Sequence, residues 1–158
     1  METTQQLTSQ QIHTLGITAA LNAAASHNDN IFTIQGDNSC KYYVNDHGAL
    51  REAIFCCSTS TKNGTKINNN VSRREYRSRF VEHGTYDDKC YILVHLDVVN
   101  NTNKFYKISH RDLCLLQYHV DCVRTNHTQS ISEWLCNGSG RNNISCDVLT
   151  SCGYEVWN

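Results

Sequence analysis

From Lys89 to Val99 the chain reads Lys-Cys-Tyr-Ile-Leu-Val-His-Leu-Asp-Val-Val, and this run constrains the fold more than any other stretch. β-Branched, aromatic and leucine residues dominate it, and neither glycine nor proline interrupts it. Period-two alternation puts Cys90, Ile92, Val94, Leu96 and Val98 on one face of a strand and His95 on the opposite face. Asn100-Asn101-Thr102-Asn103 supplies the turn, and Lys104 to Ile108 returns as the partner. The segment 89–108 is therefore expected to form a β-hairpin.

Helical periods flank that hairpin. Ser109 with Asp112 has the S/T-x-x-D form of a capping box, so a helix is expected over 110–124, with Leu113, Leu116, Val120 and Val123 on its buried stripe. Ser130 with Glu133 repeats the cap before a short turn at Trp134, Leu135 and Cys136. The segment 7–26 is an alanine-rich N-terminal helix in which Leu7, Ile12, Leu15, Ala19 and Ala23 follow a 3.6-residue period. Short strands are expected at Ile31–Ile34 and Cys40–Val44, with a turn at Asn45-Asp46-His47-Gly48. Ala49 to Cys57 has the spacing of two helical turns, with Leu50, Ala53, Ile54 and Cys57 on one face. Residues 58–72 are polar and read as an exposed loop, and Val148–Trp157 reads as a closing strand. The fold class is α+β: a single compact domain, 1–158, with an antiparallel sheet, flanking helices and disulfide stabilisation.

The disulfide expectation comes from nine cysteines, at Cys40, Cys56, Cys57, Cys90, Cys114, Cys122, Cys136, Cys146 and Cys152. They are spread along the chain with no C-x-x-C, which argues against a zinc knuckle or a thioredoxin-type pair and for a framework in an oxidising compartment. The odd total leaves one thiol over in a fully oxidised monomer, and adjacent Cys56 and Cys57 are the candidates for it. Proline is absent, where roughly eight would be average, so turns must be made by Gly, Asn and Asp. Six N-x-S/T sequons, at Asn63, Asn70, Asn100, Asn126, Asn137 and Asn143, are about twice the number expected by chance from 17 asparagines and 27 serines and threonines. Together they point to a secreted, extracellular glycoprotein. Met1 to Gln6 contains neither a basic region nor an apolar core, so no signal peptide is read here, and a processed domain behind an added Met is expected. The competing expectation is a reduced intracellular protein of viral type.

Net charge is −1, which excludes a uniformly basic nucleic-acid binder, and no apolar run is long enough for a membrane span. Charge is nevertheless segregated. Lys62, Lys66, Arg73, Arg74, Arg77 and Arg79 face one acid, Glu75, so that segment carries +5 and the rest of the chain −6. Tyr76 and Phe80 interleave with the arginines, a pattern able to contact phosphate and stack on bases, or to steer toward an acidic protein or glycan. These six cations are the candidate partner-binding residues.

Three further residue sets have the composition of a catalytic or metal site. His110, Cys114, His119 and Cys122 fall on a helix as two zinc-competent pairs, each sharing a face but rotated relative to the other. Glu75, Arg77, His83, His95 and His119 supply the residue types of a ribonuclease-like acid–base site, without a spacing that selects them. Cys56 or Cys57 is a candidate free nucleophile or intermolecular bridge. No P-loop, G-x-G-x-x-G or G-x-S-x-G is present, and no cofactor or metal is expected.

Small size, many cysteines, sequons and the lack of a catalytic signature together resemble the secreted effector or toxin-like proteins of microbial pathogens, particularly fungi. That resemblance implies a non-enzymatic virulence role, acting by binding a host or partner macromolecule, above all a protein. A small secreted ribonuclease is the alternative.

Overall fold

The structure, a computed structural model, describes residues 7–59, 66–68, 89–97, 100–125, 129–136 and 143–158, with the backbone alone at 66–68, 135, 136 and 143. It is a mixed α+β fold with one central six-stranded sheet and flanking helices. In chain order the elements are α1 (Ser9–Ser26), β1 (Phe32–Gln35), β2 (Cys40–Asp46), β3 (Ala49–Thr59), β4 (Lys66–Asn68), β5 (Lys89–Asp97), β6 (Thr102–Ser109), α2 (His110–Thr125), α3 (Ile131–Cys136), β7 (Asn143–Ser145), α4 (Cys146–Ser151) and β8 (Glu155–Val156). The large sheet runs β1-β2-β3-β5-β6-β8, and β4 pairs with β7 in a separate ladder.

The sheet is not wholly antiparallel, which corrects the sequence expectation. β3 and β5 lie side by side in parallel, Glu52 opposite Lys89 through Thr59 opposite Leu96. Every other pairing is antiparallel. A parallel pair needs a long return between its strands, and residues 60–88 make that return.

The segment 49–57 is also corrected, from helix to strand. His47 and Gly48 both have positive φ, 51° and 91°, and link Asp46 to its partner Ala49. A two-residue loop with two positive φ values is the type I′ turn that launches a hairpin, so β3 leaves it already paired to β2. Helical spacing at Leu50, Ala53 and Ile54 is overridden by that register. The expected closing strand over 148–157 is shorter than read. Ser145 caps a helical turn by accepting from the amides of Asp147 and Val148, and only Glu155–Val156 joins the sheet.

Two apolar layers hold the fold. On one face α1 packs over Val44, Ala53, Phe55, Cys90, Ile92, Val94, Leu96, Phe105 and Trp157. On the other, α2, α3 and α4 cover Cys56, Tyr91, Leu93, Tyr106 and Ile108. β5 is thus covered on both sides: His95 lies on the face opposite Cys90, Ile92, Val94 and Leu96, and that face is buried too, with Tyr91, Leu93 and His95 as buried as their neighbours. An interior strand has no solvent face.

α1 starts on a capping box, in which the Gln11 amide donates to the Thr8 hydroxyl and the Thr8 amide to the Gln11 side chain. Its buried residues are Gly16, Ala20 and Ala24, one turn apart, while Leu15 is exposed. The stripe expected from Leu7, Leu15, Ala19 and Ala23 is therefore rotated toward the smallest side chains. Small residues let the helix axis approach the sheet closely, and Ile12 and Ile17 fill the margins.

Candidate functional site

The disulfide expectation is not supported in the described chain: Cys40, Cys56, Cys57, Cys90, Cys114, Cys122, Cys146 and Cys152 are all thiols, and no disulfide joins any two of them. Cys56, Cys90, Cys114 and Cys146 are buried in the two cores, where a thiol packs as a small hydrophobe. Burial pushes the Cys114 thiol up to about 12, and does the same at Cys57. At Cys90, burial and the Asp46 carboxylate outweigh Lys107 and Arg51, and the value is again about 12. Cys40, at the start of β2, and Cys152, after α4, are exposed. The side chain of Cys136 lies outside the described residues.

The zinc-type set is not assembled. His110 and Cys114 are buried against the sheet, Cys122 is half-buried, and His119 faces solvent beside Tyr118. Among the described residues no three His, Cys, Asp or Glu side chains converge to hold a metal ion. The ribonuclease-type set fares no better: His95 is in the interior and His119 on the surface, so the two do not face one cleft. Glu75, Arg77 and His83 lie outside the described residues. So do Lys62, Arg73, Arg74, Arg77 and Arg79 of the basic segment, and Lys66 is placed only by its backbone in β4. Among the sequons, Asn100 is exposed in the β5–β6 turn, where its amide donates to Asp97; Asn143 lies in β7, and Asn63, Asn70, Asn126 and Asn137 lie outside the described residues.

Three features were not foreseen from the sequence. The first is a buried polar layer between the sheet and α2. Tyr91 Oη and His110 Nδ1 are hydrogen-bonded at 2.9 Å. Further along the helix Asp121 accepts from the Gln117 amide at 3.1 Å, from Trp134 Nε1 at 2.9 Å and from Arg124 at 3.2 Å. The inward stripe of α2 is therefore His110, Leu113, Cys114, Gln117 and Asp121, and Val123, expected inside, is exposed. Tryptophan at 134, three residues into a short helix, finds in Asp121 the acceptor that a buried indole needs.

The second is a mixed-charge cleft of about 470 Å³ where the β2–β3 turn, the end of β6 and the start of α2 meet. Each of its buried ions is matched. Arg51 donates to Asp46 at 3.1 Å, and Lys107 pairs with Asp29 at 2.7 Å while also donating to the Asn45 carbonyl. Trp157 Nε1 donates to the same Asp29 carboxylate, which ties the end of the chain to the loop after α1.

The third is the open edge of the sheet at β1. Phe32 and Ile34 are 51% and 58% exposed, and all four residues of the strand face solvent. Register with β2 and β3 places Phe32 and Ile34 on the sheet face that carries Ile54 and Cys56, beyond the reach of the helices covering that face. Leu50, 64% exposed, lies on the same face. The backbone groups of this edge are oriented by the turn. Gly36 donates to the Ser39 carbonyl at 2.7 Å, so Gly36–Ser39 is a bonded pair of the ladder. Bonded and non-bonded pairs alternate in an antiparallel ladder, which makes Ile34–Lys41 and Phe32–Tyr43 the next bonded pairs. The N–H and C=O of Thr33 and Gln35 consequently point away from β2, out of the sheet. The sequence signal for this edge was the short uncharged run Ile-Phe-Thr-Ile, but nothing in it said that the strand would be outermost.

No known family matches this chain, and neither a curated protein nor a solved structure is similar to it.

Proposed function

We propose that the chain acts by binding a partner protein, and that the contact is an extended polypeptide segment laid along β1. One observation carries this reading: an uncharged terminal strand with outward backbone groups and two large apolar side chains on one exposed face. Addition of a strand to such an edge draws affinity from main-chain hydrogen bonds and selectivity from alternate side chains. Burying the half of Phe32 or Ile34 that is still exposed contributes about 1 kcal/mol each, and an edge lacking charge, proline or a bulge does nothing to oppose pairing. The cations at Lys62, Lys66, Arg73, Arg74, Arg77 and Arg79 support approach to an acidic partner surface. The six sequons support a secreted, glycosylated protein, and Asn100 is exposed enough to carry a glycan. Among the described residues no helix is long and apolar enough to cross a membrane.

The test is selection from a random linear peptide library on the immobilised full chain. Peptides with alternating apolar residues should be enriched, and should lose binding to Thr33→Pro and to Phe32→Asp. Failure to enrich any such peptide, or binding unchanged in both variants, overturns the reading.

A further inference from the structure

We propose that the segment laid along β1 is β1 of a second copy of this chain, paired antiparallel about a two-fold axis through Thr33. The proposal rests on the edge-binding reading and narrows it to one occupant. Three observations favour a copy of the chain over an unrelated strand.

The outward backbone groups come first. Thr33 and Gln35 present their N–H and C=O to the open side. An axis through Thr33 sets Thr33 opposite its own copy as a bonded pair, and sets Gln35 opposite Ile31, the residue just before β1, of the other chain. Each donor of one edge then meets an acceptor of the other.

The side chains fall into place under the same operation. Phe32 of one copy lies opposite Ile34 of the other, twice, in the non-bonded positions where side chains approach most closely. An aromatic against a β-branched residue is a favoured cross-strand pair, and the two-fold makes four exposed apolar side chains into one strip on one sheet face. The axis perpendicular to the sheet keeps each copy's helices on the same sides, so the two six-stranded sheets become one continuous sheet.

Charge is the third observation. Phe32-Thr33-Ile34-Gln35 has no ionisable residue, so self-pairing sets no like charges opposite one another. The nearest carboxylates, Asp29 and Asp37, lie outside the strand, and Asp29 is already held by Lys107 and Trp157. The turn after the strand is closed by Gly36 and Ser39 and leaves the edge uncovered.

Sedimentation velocity of the full chain over a wide concentration range, with amide exchange at Thr33 and Gln35, tests this. The expected result is a concentration-dependent dimer in which both amides become protected as the dimer forms. Thr33→Pro removes an outward N–H without touching a β1–β2 bond, since edge strands tolerate proline on their open side, and should be monomeric. Ile34→Lys leaves the backbone intact and should also be monomeric, which keeps the test decisive if the proline variant fails to fold. A wild-type chain that stays monomeric overturns the second copy as occupant, while peptide selection on β1 then decides separately whether the edge binds anything else. A dimer that survives Ile34→Lys with Thr33 and Gln35 still unprotected places the interface elsewhere and overturns the proposal too.

Discussion

Gly16 of α1 lies so close to Cys57 of β3 that a β-carbon at position 16 would stand 2.2 Å from the Cys57 sulfur and 2.8 Å from its Cβ. The Cys57 thiol in turn reaches toward the His13 carbonyl, 3.8 Å away. Rotating the thiol relieves the first contact but not the second, because the Cβ is fixed by the strand. Alanine is a better helix former than glycine by about 1 kcal/mol, yet here overpacking, about 1–3 kcal/mol, opposes it. Gly16→Ala should therefore lower the urea midpoint, and Cys57→Gly in the same chain should recover part of the loss. A Gly16→Ala protein at least as stable as the parent would show that α1 does not sit this close.

Thiol chemistry should divide the cysteines by burial. The thiolate is the reactive form, and burial holds Cys57, Cys90 and Cys114 near 12. In the native chain at mildly alkaline pH, iodoacetamide should modify exposed Cys40 and Cys152 first and leave those three until the protein unfolds. Peptide mass analysis after a short pulse reads this directly. Equal labelling of Cys114 and Cys40 would contradict the packing of α2 on the sheet.

Where local chemistry decides structure, the sequence was readable. The β5–β6 hairpin and α2 follow from an uninterrupted apolar run and a serine cap; the Asp112 amide does donate to the Ser109 hydroxyl, and the Glu133 amide to Ser130. Among the described residues positive φ falls on Asn28, His47, Asn101 and Trp157 as well as on Gly48 and Gly153. What was hidden is set by neighbours distant in sequence. Ala49–Cys57 has helical spacing, but a type I′ turn and the parallel partner β5 make it a strand. Spread cysteines look like a bridge framework, but in the described chain Cys56, Cys90, Cys114 and Cys146 fill cores as thiols. The inward stripe of α2 is half polar, so the hydrophobic period found Leu113 but wrongly turned Val123 inward, and Asp121 gained Trp134 as a partner only once α3 was placed. The β1 edge could not be read at all, because strand order is a global property.

Stability should fall on mild acidification, and His95 is one cause. Burial lowers its pKa below the ordinary 6.5, with Lys104 adding to that and Asp97 opposing it. The folded state therefore resists a proton that the unfolded state accepts. Above 6.5 neither state is protonated and nothing is lost; as pH drops through 6.5 toward the lower folded value, the unfolded state is progressively favoured. Melting temperature should thus decline between neutral and mildly acidic pH, with a shallower slope in His95→Gln. An unchanged slope would remove His95 from the account.

Asp121 should be the most sensitive polar position on α2. Its carboxylate accepts from two buried donors, the Gln117 amide and the Trp134 indole, and from the half-exposed Arg124. Asp121→Ala takes the carboxylate acceptor from both buried donors, a loss of about 1–3 kcal/mol each. Asp121→Asn keeps one accepting oxygen and should cost less. Trp134→Phe removes one donor together with its packing against Tyr118, whose ring is 5.7 Å away. Because the indole–carboxylate bond is already gone once Asp121 is alanine, the double variant should be less destabilised than the two single losses added together. Urea unfolding of the four proteins closes the cycle. Strict additivity would mean that the indole–carboxylate bond does not fasten α3 to α2.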